Sequence, residues 1–172
     1  MSGLRKEFEL RESFFGANAL TSFYLKHAVK YEIGPDTFNC EKGEPQQCYM
    51  NACHLAHDNP LLTYVEGKVA VFGIGIDHAW CVDENGVVVE PTLVNNDDGR
   101  ILEYWGMPFN TEYVRRAALA NGIYGLLDYF YADKTAPKLY ELGLEEGQQW
   151  LLAMPRSAIR LLRKRRAKRN AA

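Results

Sequence analysis

The stretch His78–Glu90, HAWCVDENGVVVE, constrains the fold more than any other part of the chain. Two short runs of strand-forming residues flank Asp83-Glu84-Asn85-Gly86, and Asn-Gly is a strong signal for a tight antiparallel turn. Pro91 stops the returning strand, so His78–Val82 and Val87–Glu90 are expected to form a hairpin. If Asp83 pairs with Val87, then Val82 faces Val88, Trp80 faces Glu90 and His78 faces Thr92. Glu90 becomes a same-face diagonal neighbour of His78, within reach of one side-chain hydrogen bond. A slip of one residue would put the two on opposite faces.

The sequence before the hairpin begins with helical signals. Leu4–Arg11 can start a helix, and Ala17–Tyr31 carries Ala17, Leu20, Tyr24, Ala28 and Tyr31 at helical spacing. Ser13 and Asn18 are candidate caps, and Gly34-Pro35 ends the segment. A polar loop over residues 34–47 leads into CYMNACHLAH, which reads as helix from Cys48 to His57. Strand-like runs follow at Leu62–Glu66 and Lys68–Gly73, then the flexible-looking GIGID.

After the hairpin, Asn95–Gly99 is a polar turn and Thr111–Asn121 a helix. Helical character can extend across Ile123–Ala132, and Leu144–Met154 and Ser157–Lys168 suggest further helices. This order of helices, central antiparallel sheet and helices predicts an α+β fold.

The chain has 172 residues, 47% of them hydrophobic and 24% charged, enough for one ordinary core. We read residues 1–155 as a single domain and 156–172 as a basic helix or tail. That tail holds eight Lys/Arg and no Asp/Glu; without it, 12 basic residues face 22 acidic ones, a formal charge of −10. Attraction of the tail to an anionic polymer or membrane surface follows from its charge. No apolar stretch approaches the roughly 18 residues of a membrane span. The start, MSGLRKEFEL, lacks the apolar segment of a secretory signal, so a cytoplasmic protein is expected. Two disulfides among Cys40, Cys48, Cys53 and Cys81 could pair in three ways, but a cytoplasmic setting favours free thiols.

Cys48 stands out because a Gly/Pro-rich loop delivers it to a helix start. Unpaired N–H groups there favour a thiolate and can bind the oxyanion formed when a carbonyl is attacked. His78 could take the thiol proton and return it to a leaving group, with Glu90 orienting the imidazole. Asp77, Asp83 and Glu66 compete for the acid's role. A buried small cysteine, an edge histidine and a solvated glutamate are the structural alternatives.

The succession Cys48-Tyr-Met-Asn-Ala52, Tyr64-Val-Glu-Gly67, His78-Ala-Trp80 and Glu90-Pro-Thr92 resembles the papain-like and transglutaminase-like thiol enzymes. The resemblance covers roughly residues 45–109, including Tyr104-Trp-Gly-Met-Pro-Phe109. It implies a papain-like/transglutaminase-like core, helices flanking a small antiparallel sheet, without a cofactor or metal. Cys48 would be the nucleophile, His78 the general base and acid, and Glu90 the third member, where transglutaminase-like members usually carry Asp. The Cys48 N–H would serve the oxyanion hole. Gln46 or Gln47 would add an amide donor, or remain a solvated loop amide. Trp80 would line the cleft or fill the core. The implied activity is amide hydrolysis or acyl transfer on a peptide, protein or peptidoglycan-like amide.

Three other readings compete. Cys48, Cys53, His54 and His57, with Cys40 upstream, offer zinc ligands but lack the short paired spacing of structural sites. The tail could bind nucleic acid, although it has no interleaved aromatics to stack on bases. The replacement of Asp by Glu90 also fits an interaction protein that kept the thiol-enzyme fold but lost turnover. GIGID has neither the Lys nor the glycine spacing of a nucleotide site.

Overall fold

The computed structural model describes residues 3–15 and 19–127. Their elements run α1 (Gly3–Phe15), α2 (Ala19–His27), β1 (Val29–Tyr31), α3 (Cys48–Asp58), β2 (Thr63–Val71), β3 (Ile74–Val82), β4 (Val88–Val89), β5 (Ile101–Phe109) and α4 (Thr111–Asn121). The expected α+β class is present: four helices flank a five-stranded antiparallel sheet of order β1-β5-β2-β3-β4. The sheet curls until its edges meet. Glu32, just past β1, forms a parallel bridge with Val87, and the Val88 N–H donates to the Glu32 carbonyl at 2.9 Å.

Side-chain alternation along each strand gives this curled sheet two apolar faces. The inner face collects Val29, Tyr31, Val65, Val69, Trp80, Val82, Val88, Ile101 and Tyr104. The outer face carries Tyr64, Ala70, Ala79, Cys81, Trp105, Met107 and Phe109, which pack with Leu4 and Phe8 of α1, Tyr24 of α2 and Ala52, Cys53 and Ala56 of α3. Gly67 and Gly106 stand directly opposite each other in the ladder. A Cβ on Gly67 would collide with the Trp105 carbonyl and Gly106 Cα, and one on Gly106 would meet the Glu66 carbonyl and the Trp80 ring. The missing side chains let β2 and β5 approach closely and let the indole lie across the sheet.

Several boundaries differ from those expected. The two runs around Gly67 form one strand, β2, because this glycine sits in a ladder rather than a turn. All of GIGID but its first glycine, Gly73, belongs to β3, which begins at Ile74, four residues before His78. The β2–β3 turn is Phe72-Gly73, with both residues at positive φ, 49° and 82°, a geometry usually announced by Asn-Gly. Residues 29–31 leave the helical pattern to pair with β5, because Val29 and Tyr31 bury one face of a strand while Lys30 points outward. Ser13 lies inside α1, and Asn18 falls outside the described residues.

β5 was hidden in the Tyr104–Phe109 segment, where Pro108 argues against a central strand. It is tolerated because β1 covers β5 only from Tyr104 to Gly106. β4 is also shorter than expected: Val87 contributes the edge bridge and Glu90 lies just beyond the strand. The helix over Thr111–Asn121 has the expected bounds, with Asn110 accepting from Tyr113 N–H at its cap. Residues 123–127 are not helical, and the segments expected at 144–154 and 157–168 lie outside the described residues, as does the boundary at 155. No helix among the described residues is long and apolar enough to cross a membrane.

Candidate functional site

The hairpin register places the first two members of the site. Val82 pairs with Val88 and Cys81 with Val89, while Asp83 N–H donates to the Val87 carbonyl at 3.0 Å. This is the register expected from pairing Asp83 with Val87. His78 projects from the inner face of β3 and is 3% exposed, its ring stacked near Trp80 with an interplanar angle of 17°. Its Nε2 lies 2.8 Å from Glu90 Oε2.

Glu90 is wholly buried, and each carboxylate oxygen has two partners. Oε1 accepts from the Thr92 and Leu93 N–H groups at 2.8 and 3.0 Å. Oε2 faces His78 and accepts the Tyr104 hydroxyl at 2.9 Å. Burial opposes the charge of Glu90, yet His78 and these donors hold its carboxyl below the usual range. Burial likewise pulls the His78 imidazole down. The Glu90 charge, the hydrogen bond that the ring gives Glu90 and the influence of nearby Cys48 outweigh it and carry the group up to about 10. Tyr104 stays protonated, because burial and the adjacent carboxylate both push its phenol upward.

Cys48 is the first residue of α3 and is half-buried. It is a neighbour that helps raise the His78 imidazole. Gln47 occupies the N-cap without a side-chain capping bond, and Gln46 before it adopts a left-handed φ of 63°. Such a conformation is costly for a non-glycine residue and recurs at functional loops. Both glutamine side chains are exposed.

The competing groups have other work. Asp77 pairs with Lys68 at 2.6 Å on the face opposite His78, and Asp83 holds its own turn through Asn85 and Val87 N–H. Glu66 is fully buried on the outer face, where it accepts from Tyr64 Oη and from the Leu126 and Leu127 N–H groups. Cys53 is pushed up to about 11 by burial and then by Glu66, while Cys81 donates to the Ala52 carbonyl. Cys40 donates to the Glu90 carbonyl at 3.2 Å. All four cysteines are free. His54 contacts Tyr124 Oη, and no three His, Cys, Asp or Glu side chains among the described residues gather as a metal site.

Sequence reasoning missed Tyr104, Thr92 and Asn51 as supporting groups. Tyr104 could be found only by recognising β5; the backbone donors at Thr92 and Leu93 depend on the bend that follows Pro91. A thiol, an imidazole and a four-partnered carboxylate in this order can stabilise a thiolate–imidazolium pair. No family model, curated protein or solved structure matches the chain.

Proposed function

We propose that the chain is a cysteine-nucleophile amide hydrolase or acyltransferase of papain-like or transglutaminase-like type. The bonded His78–Glu90 pair, with Cys48 at the start of α3 as a neighbour that helps raise the imidazole, carries this reading. In the first half-reaction, Cys48 sulfur bonds to the carbonyl carbon of an amide or ester. The carbonyl electrons move onto oxygen, which the N–H groups at the start of α3 receive. As that intermediate collapses, the bond to nitrogen or oxygen breaks and protonated His78 supplies the leaving group's proton. A thioester remains on Cys48.

Acylation removes the Cys48 charge that helps hold the imidazole proton. His78 can then accept a proton from water or an amine as either attacks the thioester. The collapse of this second intermediate expels Cys48 as thiolate, leaving an acid or a transferred acyl group and a reprotonated His78. Throughout, Glu90 fixes ring orientation and balances its charge.

The test is the pH dependence of Cys48 alkylation, followed in the peptide that contains it. Activated Cys48 reacts readily at neutral pH and becomes at least ~10-fold slower there in folded His78→Ala protein. Ordinary thiol reactivity in both proteins, with Cys48 accessible, would reject this function. A second reading rests on the eight basic residues of 156–172: we infer a separate contact with an anionic polymer. It predicts salt-sensitive nucleic-acid binding that deletion of residues 163–172 removes, and salt-independent binding would reject it.

A further inference from the structure

His78 and Glu90 face the inside of the curled sheet, whereas α3 packs through Ala52, Cys53 and Ala56 on its outside. The Cys48 sulfur therefore has to be brought around the strand layer. Asn51, one turn into α3, is 6% exposed and joins the segments concerned. Its Oδ1 accepts from Glu44 N–H at 3.1 Å, while Nδ2 donates to the Glu44 carbonyl at 2.7 Å and to Thr92 Oγ1 at 3.0 Å.

Neighbouring contacts reinforce this junction. Asn51 N–H donates to the Gln47 carbonyl, fixing the first turn beneath Cys48. Gly43 N–H donates to the Pro91 carbonyl at 2.9 Å. A Cβ on Gly43 would strike the Asn51 amide, so the loop can lie against this side chain only without one. Thr92, which accepts from Asn51 through its hydroxyl, gives its own N–H to Glu90 Oε1. A continuous chain results: Cys48 and Asn51 share α3, Asn51 bonds Thr92, Thr92 bonds Glu90, and Glu90 bonds His78, the imidazole that Cys48 helps raise.

We propose that Asn51 is a positioning residue that sets the separation of the Cys48 thiol from the His78–Glu90 pair by fastening the helix start, the loop before it and the Glu90 cradle together. This rests on the thiol-enzyme reading above and extends it to a group that touches none of the reacting atoms. All three polar atoms of the junction's side chains are needed. Asn51 offers an acceptor and two donors in a planar amide, and Thr92 supplies the acceptor on the far side.

The experiment follows iodoacetamide labelling of Cys48 against pH in the full chain, quantified in the Cys48 peptide, with far-UV circular dichroism as the folding check. Thr92→Val replaces the accepting hydroxyl by a methyl at nearly constant volume. It is expected to slow neutral-pH labelling about tenfold and move the profile to higher pH, whereas Thr92→Ser retains wild-type behaviour. Asn51→Ala produces at least the same loss, and adding Thr92→Val to it produces no further shift. Folded Thr92→Val protein with a wild-type profile overturns the proposal, including the case in which Asn51→Ala fails to fold. His78→Ala separates the two levels. If wild-type labelling depends on His78 but not on Thr92 or Asn51, only the positioning role fails. If it does not depend on His78, the thiol-enzyme reading fails and takes this role with it.

Discussion

Replacing Glu90 by Gln puts an amide into a cradle shaped for a carboxylate. With its NH2 group toward Thr92 and Leu93 it confronts two N–H donors; turned the other way it meets Tyr104 Oη and His78 Nε2, which must rotate and lose a proton, respectively, to accept from it. The variant also loses the largest charge that counters burial at His78, which should fall well below about 10, with Cys48 left as the remaining group that raises it. Removing one member of a buried pair typically costs about 3–5 kcal/mol, lowered somewhat here as the imidazole loses its proton. A cost near ~3 kcal/mol corresponds to a melting temperature roughly 10 °C lower. Titration of the His78 Cε1–H resonance by NMR, beside a thermal melt, measures both effects. Glu90→Asp keeps the charge but is one methylene shorter, so it cannot hold both the backbone cradle and His78 in place; an intermediate titration is expected. A His78 resonance that still titrates near 10 in Glu90→Gln would refute the assignment of that shift to Glu90.

Tyr104→Phe keeps the aromatic packing but removes one donor to Glu90; a loss of about 1–3 kcal/mol in urea unfolding is expected, and no loss would make the hydroxyl dispensable. Gly106→Ala forces a methyl between the Glu66 carbonyl and the Trp80 ring, so roughly 3 kcal/mol or failure to fold should follow, read by the same assay. The pH dependence of unfolding should carry two signs, best measured in Cys48→Ala protein so that the thiol's own proton does not enter. His78 is raised on folding, so its contribution is complete below about 6.5 and is lost as pH rises through the higher folded value. Glu90 is lowered, so its contribution is present above the ordinary glutamate range and is lost on acidification. Stability that instead rises steadily from pH ~7 to ~10 would contradict the His78 assignment.

The parts legible in sequence were those encoded by local signals. Asp83-Asn85-Gly86 determined the turn, and the period of two carried the register through Val82–Val88 to put Glu90 beside His78. Cys48 at a helix start followed from the proline-containing loop before it, and α4 from its periodicity. What stayed illegible depends on contacts distant in sequence. Tyr31 is helical by spacing but lies opposite Tyr104 in a ladder, and Gly67 reads as a break until its partner Gly106 is known. Asn51 looks like one more polar helix residue, since nothing nearby shows that its amide will meet Thr92 across 41 positions.

The curled sheet is also expected to make the approach of Cys48 to His78 a late event in folding. Val29 must find Gly106, and Glu32 must find Val87, before the inner face is enclosed; α3 must then settle on the outer face with its first turn directed past the strand layer. Such distant pairings carry loop-closure costs before their contacts can repay them, which slows folding. A chain with the β3–β4 hairpin formed but the sheet still open can hold His78 against Glu90 while its thiol remains unpaired. Rapid labelling of Cys48 during refolding would thus time the closure of the whole sheet from a single atom.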